Sequence, residues 1–520
     1  MLLVILILAT LATGGLQQII GGQQGGWLLP EFHLVNLLLG LGWLGFALIL
    51  GWIEPVILLY SLAFFTFFTA WRPIDLPIGS FTASQIFSIL AITIISLRYR
   101  THNWGNKKIR FLMLILLAAM VASSIELWFS NVKDTFALPV LREGRGTPLI
   151  RSITSIGSIM IGMSAYFVTV DLLKTPARFK TAMKCWFGGA LFSILAGVYS
   201  LIRYYAPMLP PLPLPALGVD GTGVVTRGLD FAASFEGQQL VTRISSFAYE
   251  PRHLALMLAP PLCFLLVLLI LSPLKKRVEK RHLFILTVTM IIGFTLTTSR
   301  TSYLLVIIMI AIIIWSTNIS SIHRLRRLIF MFSLTAAILM VIYYINYEIN
   351  PVSFIFSQME SLNEMYNEES GIPLAIAGAQ VAWDMFTSNP IIGRGWGSYI
   401  YYMSGYDYLF VLSPTPPNLF FLMLAETGIV GTIILVCLFV EGQRGASGPR
   451  HSAFAQQFPI LPCLGAALLA CYFGFLFWSP IHDTYLWMLL GFLQAARELT
   501  YQGQFIFPDS LRGFRLAVGT

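Results

Sequence analysis

Charged side chains are scarce in this chain. They make up 11% of 520 residues, against about 25% in an ordinary soluble domain. Together with a hydrophobic share of 57%, this excludes a soluble globular protein and a disordered one, and makes nucleic acid a poor partner. Cysteine is scarce too. Cys185, Cys263, Cys437, Cys463 and Cys471 lie in or beside apolar runs without paired metal spacing. That rules against a disulfide scaffold or a zinc site and leaves small buried hydrophobes. No Asp-x-Asp metal motif occurs anywhere, and no internal repeat is visible. The N-terminus has no charge before Glu31, so it lacks the basic n-region of a secretory signal and reads as a first membrane helix.

What the chain does have is uncharged apolar stretches of membrane-spanning length. They fall near 2–20, 33–50, 55–71, 77–97, 111–129, 150–173, 185–203, 253–271, 283–298, 301–317, 328–346, 419–440, 458–478 and 484–496. The pattern predicts an all-α, polytopic integral membrane protein of about 12–14 transmembrane helices. Four basic clusters interrupt it, at Arg98 to Arg110, Lys174 to Lys184, Lys275 to Arg281 and Arg324 to Arg327. Each follows an even-numbered run, so with both termini cytoplasmic every cluster obeys the positive-inside rule. Arg444, Arg450 and the tail arginines Arg497, Arg512 and Arg515 join them, which puts 22 of 33 basic residues inside. Orientation thereby explains most of the basic residues behind the +9 net charge.

The eleven left outside are Arg72, Lys133, Arg142, Arg145, Arg151, Arg203, Arg227, Arg243, Arg252, Arg300 and Arg394, ten of them arginine. Lysine would serve topology equally well, whereas the planar, permanently charged guanidinium fork suits phosphate. The predicted segmentation is N-terminal transmembrane helices over 1–203 and an outer loop with an arginine-rich motif over 204–252. Central transmembrane helices follow over 253–346, then a large outer loop over 347–418, and C-terminal transmembrane helices with a cytoplasmic tail over 419–520. The first outer segment opens with Pro207, Pro210, Pro211, Pro213 and Pro215, which suits a stiff extended connection. The second carries Glu360, Glu364, Glu368 and Glu369, then an amphipathic helix over PLAIAGAQVAWDMF that stops at SNPIIGRGWGSY, where proline and glycine end it. A lid or acceptor platform and a packed outer loop are both open readings of it. The polar stretch 441–460 reads as a cytoplasmic loop.

Four short stretches concentrate the candidate chemistry. Arg243 to His253 ends the first outer segment and gathers Arg243, Glu250, Arg252 and His253 at the outer membrane face. Charge there is costly unless paired or wetted, so a functional cluster and interfacial anchoring are both open. Thr297 to Ser302 sets Arg300 between two very apolar runs, where it must snorkel, pair with a distant carboxylate or bind an anion. Ile391 to Tyr399 carries Arg394 and Trp396 among glycines. Their N–H groups would suit an oxyanion and the indole a sugar ring, with a structural turn as the alternative. Pro417 to Gly431 re-enters the membrane with Asn418 at its start and Glu426 deeper in, where a carboxylate needs a partner or a proton.

In this order the stretches resemble the O-antigen polymerase and O-antigen ligase superfamily of bacterial envelope glycosyltransferases. The resemblance covers residues 240–435 and rests on Arg243, Phe247 and Glu250-Pro251, on Ser299-Arg300, on Pro390 to Gly395, and on Asn418, Glu426 and Gly428. It implies a multi-helix inverting transferase working without a metal or other cofactor at the outer (periplasmic) face of the bacterial inner membrane. Its partners are then an undecaprenyl-pyrophosphate-linked glycan donor and acceptor, the lipid bilayer, and room for a chain-length regulator. Two positions depart from the pattern. Pro417 stands where ligases carry a histidine before the asparagine, and Gln380 where many members carry an arginine in the loop helix. Both departures favour a polymerase over a ligase.

A sugar joined through C1 to pyrophosphate already has a good leaving group. Transfer then needs positive charge on the departing pyrophosphate and a base for the attacking hydroxyl. Arg243 and Arg300 are the first candidates for the pyrophosphate, and Arg252 and Arg394 the second. Glu250 is the candidate base nearest in sequence, followed by Asp384, His253 and the His482-Asp483 pair, which a short outer turn explains equally well. Trp396 and Asn418 complete the expected substrate contacts. A ligase that joins glycan to a lipid or protein acceptor is the same-class rival. A lipid-linked oligosaccharide flippase is the other, disfavoured because the charges gather at one outer face instead of near the midplane.

Overall fold

In hydrocarbon, a backbone satisfies its own polar groups only by coiling or by closing a barrel, and the computed structural model of this chain takes the first route. The structure describes residues 1–20, 30–69, 74–76, 79–99, 102, 104–129, 147–206, 208–209, 229–233, 240–244, 246–248, 251–271, 277–297, 300–317, 374–402, 418–446, 459–477 and 481–501. The elements run α1 (Leu2–Ile20), α2 (Pro30–Ile53), α3 (Val56–Phe65), β1 (Ile74–Leu76), β2 (Gly79–Phe81), α4 (Ala83–Arg98), α5 (Lys107–Phe129), α6 (Pro148–Leu172) and α7 (Pro176–Tyr205). They continue with β3 (Leu229–Ala233), β4 (Leu240–Ile244), α8 (Pro251–Leu271), α9 (Arg277–Leu296), α10 (Arg300–Thr317), α11 (Leu374–Ser388), α12 (Tyr399–Tyr402), α13 (Leu419–Arg444), α14 (Ile460–Gly474) and α15 (Thr484–Tyr501).

The protein is an all-α, multi-pass membrane protein. Among the described residues, α5, α6, α7, α8 and α13 are each long and apolar enough to cross a bilayer. Each apolar run of the sequence coincides with a helix except 328–346, which lies outside the described residues. Two expectations need correcting. Short antiparallel hairpins, β1–β2 and β3–β4, add to the helices; β2 falls inside the run read at 77–97, and β3–β4 lies in the first outer segment, beyond its proline-rich opening. The run 55–71 also yields a helix that stops at Phe65. At 1.5 Å per residue α3 rises about 15 Å, half of a hydrocarbon core of about 30 Å. The Thr66 hydroxyl bonds back to the Ala63 carbonyl at 2.9 Å, and the chain continues through buried Phe67 and Phe68. A capping box then restarts it in α4: the Gln85 N–H donates to Thr82 Oγ1 at 3.3 Å and the Thr82 N–H to Gln85 Oε1 at 3.0 Å.

Helix α8 is buried on nearly every side and packs against α9, α10 and α14. The outer helices turn apolar side chains outward, as Phe111 and Leu114 of α5 and Ile433 and Val440 of α13 do. Lipid tails are as apolar as these side chains, so association rests on close packing. Gly189 of α7 admits the Phe64 carbonyl of α3, and Gly293 of α9 admits Ile194 of α7.

Polar contacts mark one end of the bundle. Arg98 donates to the Trp52 carbonyl at 2.8 Å, and Arg178 pairs with Glu54 at 3.6 Å. Lys174 lies 2.9 Å from Asp171, which also faces His102 at 3.8 Å. These contacts join the ends of α2, α4 and α6 to the start of α7, the ends that the positive-inside rule assigns to a single side. The four stretches of candidate chemistry lie toward the other end.

Candidate functional site

Helix α7 is the post around which that other end is built. Strand β4, which carries Arg243 opposite Asp230 of β3, brings Ile244 against Gly197 of α7. Two residues on, the Ser246 hydroxyl donates to the Ser193 carbonyl at 2.6 Å, and the two hydroxyls lie 3.1 Å apart. These bonds hold Ser246 at φ 51°, a conformation that costs a residue with a Cβ. Phe247 then stacks on Phe68 at 4.1 Å and on Phe192 at 5.8 Å. The half-length α3 is what delivers Phe68 to this spot. Helix α9 crosses the same part of α7, Gly293 against Ile194, and ends at Leu296, next to Thr297. The Thr297 hydroxyl bonds the Phe294 carbonyl at 2.7 Å and Ser302 Oγ at 3.3 Å, which ties the end of α9 to the first turn of α10, the helix that Arg300 opens. Strand β4, which carries Arg243, and helix α9, at Gly293, thus both pack on α7 within residues 193–197. Arg252 and His253 open α8, the first half-buried and the second buried, and Arg252 and His482 both lie within electrostatic reach of His253. Glu250 lies outside the described residues.

The third and fourth stretches interlock. Helix α13 breaks at Gly428, whose φ 65° and ψ −163° belong to no helix. The break frees backbone groups that the membrane would leave unsatisfied, and the loop after α11 takes them up. The Arg394 N–H donates to the Ala425 carbonyl at 2.9 Å and the Gly395 N–H to the Glu426 carbonyl at 3.0 Å. In the reverse direction the Ile429 N–H reaches the Pro390 carbonyl at 2.9 Å and the Val430 N–H the Ile391 carbonyl at 3.3 Å. The Glu426 carboxyl, buried at 2% exposure, accepts the Gly397 N–H at 2.9 Å and the Tyr399 N–H at 3.0 Å. The loop N–H groups of Gly397 and Tyr399 are therefore taken by the protein's own Glu426 carboxyl. Arg151 of α6 donates to the Gly397 carbonyl at 3.0 Å, Ser124 of α5 accepts the Trp396 N–H at 3.1 Å, and Asn389 donates to Glu126 at 3.3 Å. Three helices, α5, α6 and α13, hold one loop.

The remaining candidates separate. Trp396 is 4% exposed and packs into the core, so its ring is not offered to a sugar. Arg394 donates to Ser388 Oγ at 2.8 Å and sits over the Tyr402 ring at 5.8 Å. Burial pushes the Tyr402 hydroxyl up, against the pull of Arg394. Asp384 is exposed on α11. Asn418 caps α13, accepting the Phe421 N–H at 2.8 Å. Arg151 carried a weak sequence signal as one of the outer arginines. Ser124 and Glu126 carried none, because nothing local distinguishes them from other polar residues on an apolar helix.

Residues 285–436 match the O-antigen ligase family model. This stretch is similar to an O-antigen ligase domain. It is less than a third of the chain and runs from α9 into α13. It takes in Arg300, the Pro390–Tyr399 loop, Asn418 and Glu426, and leaves Arg243 and Arg252 outside. The match supports the O-antigen ligase and polymerase-like superfamily, and with it a membrane enzyme that processes lipid-linked glycans. A comparison with curated proteins returned no match.

Proposed function

We propose that the protein is a polysaccharide polymerase. It transfers a glycan from undecaprenyl pyrophosphate to a lipid-linked repeat unit at the outer face of the inner membrane, with inversion at C1 and without a metal. The observation that carries the reading is the packing of the β4 segment and of α9, the helix that leads to Arg300, on residues 193–197 of α7. It supports a shared anion site for Arg243 and Arg300, two arginines far apart in sequence. Arg300 is the first residue of α10, so its guanidinium and the positive end of the helix both favour a pyrophosphate. The site stabilises the departing pyrophosphate as the acceptor hydroxyl attacks. Pro417 at the position where ligases carry a histidine favours polymerisation over ligation.

The test is Arg300→Ala in a host that makes the polymer, with membrane expression checked. A polymerase loses long polymer and accumulates lipid-linked single repeats. Long glycans retained on the lipid carrier would instead assign ligation, and normal chain lengths would sink the reading. Arg300→Lys distinguishes fork from charge, since lysine keeps the positive charge and loses the bidentate geometry.

A further inference from the structure

We propose that His482, oriented by Asp483, is the base that takes the proton from the acceptor hydroxyl, an inference that rests on the transferase reading above. His482 Nε2 lies 3.6 Å from Asp483 Oδ1, with the imidazole 50% exposed and the carboxylate only 12%. A half-open ring beside a nearly covered carboxylate is the arrangement in which one group orients and the other reacts.

The backbone beneath the ring is clamped. The Trp487 indole donates to the Ile481 carbonyl at 2.8 Å, and Gln85 at the start of α4 donates to the His482 carbonyl at 3.5 Å. Gly162 of α6 lies so close that an added Cβ would stand 2.8 Å from that same carbonyl. The ring is therefore half-exposed on a clamped turn, which suits proton transfer at a fixed distance.

Its position is equally telling. Tyr485 donates to the Met257 carbonyl at 2.7 Å and ties the start of α15 to the first turns of α8, the helix that Arg252 and His253 open. The Leu419 N–H donates to the Phe475 carbonyl at 3.0 Å, joining the start of α13 to the end of α14, where Gly474 packs on Leu256 of α8. His482 thus stands on the rim formed by these helix ends. Among the other described candidates, His253 is 6% exposed and Asp384 lies on α11, whose packing is with α12 and α13.

The step balances. Asp483 faces Nε2, so Nδ1 takes the hydroxyl proton while the oxygen lone pair forms the new bond to C1 of the donor sugar. The C1–O bond to pyrophosphate breaks and its electron pair leaves with the lipid pyrophosphate. The imidazolium then returns its proton to water.

The experiment uses the purified full-length protein with lipid-linked repeat units, following transfer and, separately, binding of undecaprenyl pyrophosphate. His482→Ala and the size-matched His482→Gln are expected to lower kcat by about 10²–10⁴-fold, the range for loss of a general base, with KM and carrier binding unchanged. Added imidazole should restore part of the His482→Ala rate. Asp483→Asn lowers kcat at constant KM, and Asp483→Glu recovers part of it. A His482→Ala rate within about threefold of wild type, below what a general base contributes, overturns the proposal. So does loss of carrier binding, or no recovery with imidazole. If the wild-type protein transfers no glycan at all, the transferase reading fails, and this inference with it.

Discussion

Gly428 has a backbone that no other residue adopts at low cost. Its φ 65° and ψ −163° fall in a region reserved almost wholly for glycine, where a side chain costs about 1–3 kcal/mol. A Cβ there would also run into the Ile391 carbonyl, and one at Gly393 (φ 74°) into the backbone of Glu426. Gly428→Ala and Gly393→Ala are both expected to lower the melting temperature in detergent, Gly428→Ala by the larger amount. A wild-type Tm in either would remove the interlock as a determinant of stability. Glu426 sets a second test at this scale. Alanine there strands two buried N–H donors, at about 1–3 kcal/mol each, whereas glutamine retains one acceptor. The expected order of stability is wild type, then Glu426→Gln, then Glu426→Ala, read by thermal unfolding.

At the scale of elements, two helices act through an interruption, one by stopping early and one by a break. α3 ends halfway across the bilayer and so presents Phe68 to Phe247; α13 breaks and so presents its free carbonyls to a loop. Phe247→Ala removes a ring stacked between Phe68 and Phe192, a change expected to cost about 3–5 kcal/mol and to loosen the chain that follows Arg243. Lower stability with a raised KM for the lipid-linked donor is the expected result, and an unchanged KM would separate this anchor from the site. Asn418 is read here as a cap. Asn418→Asp and Asn418→Ser should therefore keep stability and activity, while Asn418→Ala costs about 1 kcal/mol. Equal loss of activity in all three, at preserved stability, would instead put Asn418 in contact with substrate.

Across the whole molecule, the contacts of Arg98, Lys174 and Arg178 gather at one end, and the candidate stretches lie toward the other. Single cysteines in a cysteine-free background test this polarity. Lys174→Cys should react with an impermeant maleimide only after the membrane is opened, and Thr387→Cys in intact cells. Labelling of both from the same side would overturn the orientation. Much of this polarity was legible in the sequence, because length and charge answer directly to the bilayer. The interlock was legible only as two separate motifs, the Pro390–Tyr399 loop and the Glu426–Gly428 turn. Their contact depends on backbone groups that no side-chain pattern records.

The sequence by itself determined the class of molecule, the positions of its helices, the likeness to a family and the arginines worth testing. Hydrophobic length, positive charge and local turn chemistry act within short windows, so they can be read from one chain. Only the tertiary structure decided that α3 stops short, that the glycine loop is filled by Glu426, that Trp396 is turned inward, and that His482 stands on a clamped turn beside α8. Each of these depends on segments distant in sequence, and each is decided by which backbone donors and acceptors, and which side chains, meet where no water remains to take their place.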